Sequence, residues 1–269
     1  MASSTAPAIV FDKVNLAFDE KVVLRGVSFA VPKGRTKIIL GASGSGKSTI
    51  LKIIVGLLRA DSGTVFVNGQ RVDRLSESEL MKVRADLGLI FQEGALFDSL
   101  TVRENVGYKY YEESDMPLDK VDQRVGEVLG FMGLAQHIDK MPSELSGGQR
   151  RRVAIARSMA FKPGILLYDE ATTGLDPITA ITVDDEIVKL RDLEGVTSIV
   201  VTHQLRDAFY VASKAAVRDQ AGHVSIVDAP PEKIDETEFI MLKDGLICFE
   251  GNAGELRHSH DSYLQKFLS

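Results

Sequence analysis

The run Gly41-Ala-Ser-Gly-Ser-Gly46-Lys47-Ser48, set directly after the apolar residues Ile38-Ile39-Leu40, limits what this chain can fold into more than any other feature. A glycine, four free positions and then Gly-Lys-Ser is the phosphate-binding P-loop pattern. Glycines let the backbone curl until successive N–H groups point at one phosphate chain, Lys47 reaches the β- and γ-phosphates, and the Ser48 hydroxyl can hold Mg²⁺. The next segment, Ser48 to Val55, reads as a helix whose N-terminal dipole favours the same anion. Gly41, Ala42, Ser43, Gly44, Ser45, Gly46, Lys47, Ser48 and Thr49 therefore form a candidate nucleotide cradle. The alternative is a chance glycine turn, which only companion motifs can exclude.

At 269 residues and 44% hydrophobic content the chain is long enough for one large α/β domain or two small ones. Its net charge of −6 argues against a polyanion binder, so nucleic acid is not an expected partner and any phosphate site must be built locally. The single cysteine, Cys248, excludes an intramolecular disulfide and any multi-cysteine metal site. In Leu-Ile-Cys-Phe it reads as a small buried hydrophobe. Residues 1–7 lack the charged and apolar regions of a secretory signal and read as a disordered lead. No apolar run approaches the ~20 residues that cross a bilayer.

From Ile9 to Val31 the pattern alternates, with turns at Phe18-Asp-Glu and Pro32-Lys-Gly34, which predicts short antiparallel strands leading into the P-loop strand. Val65-Phe-Val67 before Asn68-Gly69 predicts a further strand and tight turn. Residues 94–160 read as helical, and β pattern returns at Ile165-Leu-Leu-Tyr168 and Ser198 to Thr202. Three apolar strands thus end in polar residues: Leu40 in the P-loop, Tyr168 in Asp169-Glu170, and Thr202 in His203. Ligands bind at the carboxyl ends of strands in an open parallel sheet, so these groups are expected to converge. Residues 213–238 read as an irregular surface excursion without an assigned function. Phe239 to Leu242 and Leu246 to Phe249 flank Lys243-Asp244-Gly245, a predicted hairpin, ahead of a C-terminal helix whose Tyr263, Leu264, Phe267 and Leu268 face core or an interface.

Asp169 and Glu170 supply two carboxylates with separable tasks. Asp169 can bind Mg²⁺ through its water shell and Glu170 can take a proton from an attacking water. Alone they are equally readable as a solvated acidic pair. Leu145-Ser146-Gly147-Gly148-Gln149 before Arg150-Arg-Arg-Val-Ala-Ile-Ala-Arg157 reads as a turn opening a helix. At this point the chain resembles the ABC (ATP-binding cassette) ATPases over residues 8–256. The resemblance rests on the P-loop, Gln92 in Leu89-Ile-Phe-Gln92, the Leu145 to Gln149 signature, Ile165 to Glu170, Gly174-Leu-Asp176 and His203, in that order.

The resemblance implies a P-loop NTPase fold, with a mainly parallel sheet core, an antiparallel β subdomain and an inserted helical subdomain at about 94–160, followed by a C-terminal helix at 257–269. It implies ATP and Mg²⁺ as cofactors. Phe18 matches the aromatic that stacks on adenine, although it is also readable as a strand-end core residue. Gln92 matches the glutamine that meets Mg²⁺ and the attacking water, Asp176 the loop that communicates between protomers, and His203 the histidine that contacts the γ-phosphate and orients the base. Ser48, Gln92 and Asp169 are then the metal set, and Glu170, His203, Gln92 and Lys47 the catalytic set. Ser146, Gly147, Gly148 and Gln149 complete an ATP site on a second copy, so a homodimer is implied. His137, His223, His258 and His260 have no such support and read as surface residues.

The stretch Glu93-Gly-Ala-Leu-Phe-Asp-Ser-Leu-Thr-Val-Arg-Glu-Asn-Val106, with Thr-Thr-Gly-Leu-Asp-Pro-Ile178, looks like the Mce/Mla-type phospholipid-transport ATPases. That likeness implies integral membrane permease subunits, an Mce-type lipid-binding protein in the same assembly, and a place on the cytoplasmic face of a bacterial inner membrane. Ala95, Leu96, Phe97 and Leu100 are candidates for the wall of a groove that receives the permease, or for plain core. The competing implications are an importer ATPase for another small substrate and a single-cassette ATPase of iron–sulfur assembly. Ala171 departs from the family, which usually carries proline after the glutamate, and residues 213–238 look longer than its usual connection.

Overall fold

The computed structural model describes residues 6–91 and 94–268. The early alternation becomes a hairpin of β1 (Ile9–Phe18) and β2 (Lys21–Val31), in which Phe18 faces Lys21 across the turn. β3 (Thr36–Gly41) is buried along its length and runs through the P-loop into α1 (Lys47–Ile54). β4 (Ser62–Val67) and β5 (Gln70–Arg71) are joined by Asn68 and Gly69 at φ 48° and 79°, the left-handed pair that matches the strand twist. These strands form an antiparallel sheet in the order β2-β1-β4-β5. α2 (Glu77–Arg84) leads to β6 (Leu87–Ile90), and the predicted helical region follows as α3 (Val102–Glu113), α4 (Leu118–Phe131) and α5 (Gly147–Met159). The chain returns to the sheet through β7 (Ile165–Asp169), α6 (Pro177–Leu193), β8 (Thr197–Val201) and α7 (Leu205–Ser213). It ends with β9 (Lys214–Arg218), β10 (Val224–Asp228), α8 (Pro231–Ile234), β11 (Glu238–Lys243), β12 (Leu246–Asn252), α9 (Ala253–Arg257) and α10 (Ser262–Leu268).

The central sheet has the order β12-β11-β3-β8-β7-β6 and is parallel except for the β11–β12 hairpin. Its middle strands read as unbroken apolar runs because both faces are covered. Ile38, Leu40, Leu166, Tyr168 and Val200 join one buried cluster with residues of α3 to α7, while Ile39, Leu167, Ile199 and Val201 join a second with α1 and the antiparallel sheet. Ile39 pairs with Val201 and Val201 with Asp169, so the carboxyl ends of β3, β8 and β7 lie side by side. The expected convergence of the three strand ends is therefore the geometry found.

Two expectations are corrected. Residues 213–238 hold a regular hairpin, β9 paired with β10 from Lys214↔Asp228 to Arg218↔Val224, and the short α8. Asp192 at the end of α6 braces it, accepting from the Ala216 N–H at 2.8 Å and pairing with Lys233 at 2.8 Å. The strand signal is faint because the two buried residues of β9, Ala215 and Ala216, are poor strand formers. Cys248 is exposed rather than buried, since on the edge strand β12 it is Ile247 and Phe249 that turn inward. α10 docks as predicted, with Leu264 buried and Tyr263, Phe267 and Leu268 packed against the first cluster.

Candidate functional site

Gly46 ends the P-loop at φ +103°, and a Cβ there would lie 3.0 Å from the Val23 carbonyl oxygen, so both conformation and space demand glycine. α1 then begins with its first N–H groups free of intrahelical acceptors. Lys47 is almost fully buried; its Nζ donates to the carbonyls of Gly41 (2.8 Å) and Ala42 (3.1 Å) and lies 3.5 Å from Glu170 Oε1. Those oxygens repay the desolvation of the ammonium. The Ser48 hydroxyl donates to Asp169 Oδ1 at 2.7 Å. Burial pushes the Asp169 carboxyl above its ordinary value; the Ser48 bond opposes that rise and the charge of Glu170 adds to it.

Glu170 occupies the left-handed region at φ 51°, with its N–H donating to Val201 O at 2.9 Å. Its Oε2 accepts from the Thr173 hydroxyl at 3.2 Å and lies 3.1 Å from His203 Nδ1. These side chains edge a cleft of about 670 Å³ lined by Phe18, Lys21, Val23, Ser43, Gly44, Gly46, Lys47, Ser48, Thr49, Glu170, Thr173 and His203. Phe18 stands 47% exposed at its mouth, a ring with one face open for stacking. Gly41, Ala42 and Ser45 complete the loop behind these residues.

The cleft suits a phosphate chain, because it joins a helix N-terminus, a curled glycine loop and a lysine. It also suits a hard divalent cation. The Ser48 hydroxyl and the Asp169 carboxylate are paired oxygen donors, and a buried carboxylate with a raised titration is a site short of countercharge. Among the described residues no three His, Cys, Asp or Glu side chains could hold a metal by themselves, so a cation here would complete its shell with phosphate oxygens and water.

Other predicted residues lie elsewhere. Ser146 caps α5, its hydroxyl accepting from the Gln149 N–H at 3.3 Å while Gln149 Oε1 accepts from the Ser146 N–H at 2.9 Å. Gly147 and Gly148 form the first turn of that helix. Asp176 caps α6, accepting from the N–H groups of Ile178 and Thr179, both at 3.1 Å. None of these five lines the cleft. Gln92 lies outside the described residues. Sequence reasoning missed Thr173 and Lys21, which reach the cleft through a turn and a cross-strand pairing with Phe18. His137, read as a surface residue, has its Nε2 3.1 Å from Gln149 Nε2, a contact that requires the imidazole nitrogen to accept.

The sequence matches the family model described as "ABC transporter" over residues 24–173. Protein TRIGALACTOSYLDIACYLGLYCEROL 3, chloroplastic, of Arabidopsis thaliana is 45% identical over 205 residues, covering 70% of this chain and 59% of its own length. Methionine import ATP-binding protein MetN of Bifidobacterium longum is 38% identical over 264 residues, covering 94% of this chain and 66% of its own length. The chain thus spans about three fifths of the curated relatives it matches. Among solved structures, the dimeric post-hydrolysis state of the ATP-binding cassette MJ0796 bound to ADP and Pi superposes with a TM-score of 0.74 at 30% identity, over 91% of this chain and 98% of that one. The cbiO1 protein of Clostridium perfringens, part of the ABC transporter complex cbiONQ, gives a TM-score of 0.77 at 26% identity, over 98% and 96% of the two chains.

Proposed function

This chain belongs to the ABC transporter family, and we propose that it is the ATP-hydrolysing subunit of a membrane transporter, driven by closure and opening of a dimer of two such chains. The observation that carries the reading is the join of Lys47, Ser48, Asp169, Glu170 and His203 at the ends of three adjacent strands. The P-loop N–H groups and Lys47 hold the phosphates, and Phe18 stacks on the base. Mg²⁺, when bound beside Ser48 and Asp169, neutralises phosphate charge. Glu170 accepts the proton of the attacking water, while His203, 3.1 Å away, fixes the carboxylate's direction. Lys47 Nζ donates to the Gly41 and Ala42 carbonyls in this structure, so bound phosphates would compete with those contacts for its N–H groups.

Ser146 to Gln149 are held at the capped start of α5, outside this chain's cleft, which supports completion of each site by the signature of a second copy. The MJ0796 cassette, a dimer bound to ADP and Pi, agrees with that arrangement. The division into a cassette at 8–256, a helical subdomain near 94–160 and a terminal helix belongs to the same reading. Glu170→Gln is expected to abolish phosphate release while ATP still binds and holds a closed dimer. Undiminished steady-state hydrolysis in that variant would sink the assignment.

No helix among the described residues is long and apolar enough to cross a membrane. Family membership supports contact with the bilayer through a permease, on the cytoplasmic face of the inner membrane. A hollow of about 200 Å³ bounded in part by Leu87, Leu89, Tyr108 and Phe161 suits the permease; beside it Phe97 stands 42% exposed, its ring tilted 37° against that of Tyr108 with centroids 4.6 Å apart. For the cargo, phospholipid transport of Mce/Mla type with a lipid-binding partner is the preferred reading. The wording after Gln92 supports it, as does a relative named after a diacylglycerol lipid at 45% identity. Methionine import is the second reading, favoured by MetN relatives at 38–43% identity. Mass spectrometry of the complex purified from mildly solubilised membranes separates them: an Mce-type protein with bound phospholipid supports lipid transport, and a permease with neither supports the import of a small solute.

A further inference from the structure

Glu170 and His203 stand on different loops, one after β7 and one after β8. A second contact, wholly enclosed, joins the turn after β7 to the first turn of α7, the helix that follows the His203 loop. The Thr172 hydroxyl donates to Asp207 Oδ2 at 2.5 Å, with Thr172 4% and Asp207 2% exposed. We propose that Thr172 and Asp207 are positioning residues, a buried latch that keeps the Glu170 carboxylate aligned with His203 for attack by water. The proposal rests on the reading of Glu170 as the base.

Glu170 holds a left-handed conformation that a residue with a side chain adopts only when its surroundings impose it. Two backbone bonds help, Glu170 N–H to Val201 O at 2.9 Å and Thr173 N–H to Glu170 O at 3.1 Å. Between them stands Ala171, where the resembled family usually carries proline. A proline would fix its own φ and restrict the residue before it. Alanine does neither, and no backbone hydrogen bond among the described residues uses its N–H. The next side chain, Thr172, ties this turn to α7, while Arg151 of α5 donates to the Thr173 carbonyl at 2.9 Å.

Its acceptor is itself held in place. Asp207 lies in the first turn of α7, four residues after His203, and its other oxygen, Oδ1, accepts from Arg206 Nε at 2.8 Å and from the second Arg206 nitrogen at 2.5 Å. That leaves Oδ2 for Thr172. Asp184 on α6, 1% exposed and with one carboxyl oxygen unpartnered, lies close enough that burial and then the charge of Asp207 push its carboxyl up. The turn from Glu170 to Thr172 and the segment from His203 to Asp207 are thus closed at both ends by side-chain contacts. A shift of either loop has to break both.

The test is steady-state phosphate release by the protein assembled with its membrane partner. Thr172→Val keeps the shape and removes the donor, Thr172→Ser keeps the donor, and Glu170→Gln serves as control. Thr172→Val is expected to lower kcat about tenfold or more with KM for ATP within about twofold, because misplacement of the base acts on the transition state and not on ATP binding. Thr172→Ser is expected to restore most of kcat, and the loss in Thr172→Val to persist well below its thermal midpoint. Thr172→Val at wild-type kcat beside an inactive Glu170→Gln rejects the latch alone, and so does a Ser variant as impaired as Val. Turnover that survives in Glu170→Gln rejects the base assignment and the latch with it.

Discussion

Asp184 shows how a single buried carboxyl gives this fold a pH dependence. Burial, and then the neighbouring charge of Asp207, push it up from an ordinary 3.8 to about 8, against the pull of Arg206 and with a further push from Asp185. Between those two values the folded chain holds a proton that the unfolded chain has released, so stability falls as pH rises through this window and the loss is complete above it. Asp184→Asn, which cannot ionise, is expected to unfold at a higher temperature than the wild type at about pH 9, with the gap closing toward about pH 4. A gap that does not change with pH counts against the account. Ala171→Pro is a second residue-scale case. With no N–H bond to lose, it is expected to gain about 0.4–1 kcal/mol in thermal unfolding by restricting the unfolded chain, and a lower midpoint would show that the turn, with Glu170 at φ 51° before it, does not accept proline.

Among the elements, the start of α5 packs closely against the start of α6. A Cβ on Gly148 would lie 1.9 Å from Thr179 Cγ2, and Thr179 cannot turn aside because its hydroxyl donates to Asp176 Oδ2 at 2.5 Å. A Cβ on Gly147 would meet Leu175 at an ordinary 3.7 Å. Gly148→Ala should therefore cost about 1–3 kcal/mol in thermal unfolding through overpacking, while Gly147→Ala should cost little; equal effects would refute the packing argument. The elements readable in the sequence were those announced by turns. Asn68-Gly69 and Asp244-Gly245 both form the predicted turns, each through a left-handed pair, and the β3, β7 and β8 runs sit where their apolar character placed them. The β9–β10 hairpin is faint in the sequence because β9 packs through alanine, only Val224 and Ile226 of β10 turn to the core, and its brace, Asp192, comes from α6.

For the whole molecule, the candidate site was legible where polar residues follow an apolar strand: Asp169 closes β7 and Glu170 follows it, His203 comes two residues after β8, and Lys47 and Ser48 open α1 beyond the P-loop that follows β3. Thr172 and Asp207 were not legible in this way. A hydroxyl and a carboxylate 35 residues apart carry no pattern, and only the packing of two loops brings them together. With Ser48 and Asp169 as the oxygen donors for Mg²⁺, a chelator is expected to bring phosphate release to background and addition of Mg²⁺ to restore it; release unaffected by chelation would contradict that assignment. The Glu170→Gln protein is expected to be a monomer without nucleotide and a dimer with ATP and Mg²⁺ by light scattering, and a monomer in both would contradict the shared site. The placement of the signature turn away from its own cleft also bears on heredity and dosage. A copy that is well folded but chemically inert still occupies a partner, so a defective allele expressed beside a sound one is expected to suppress more activity than its share of the subunits.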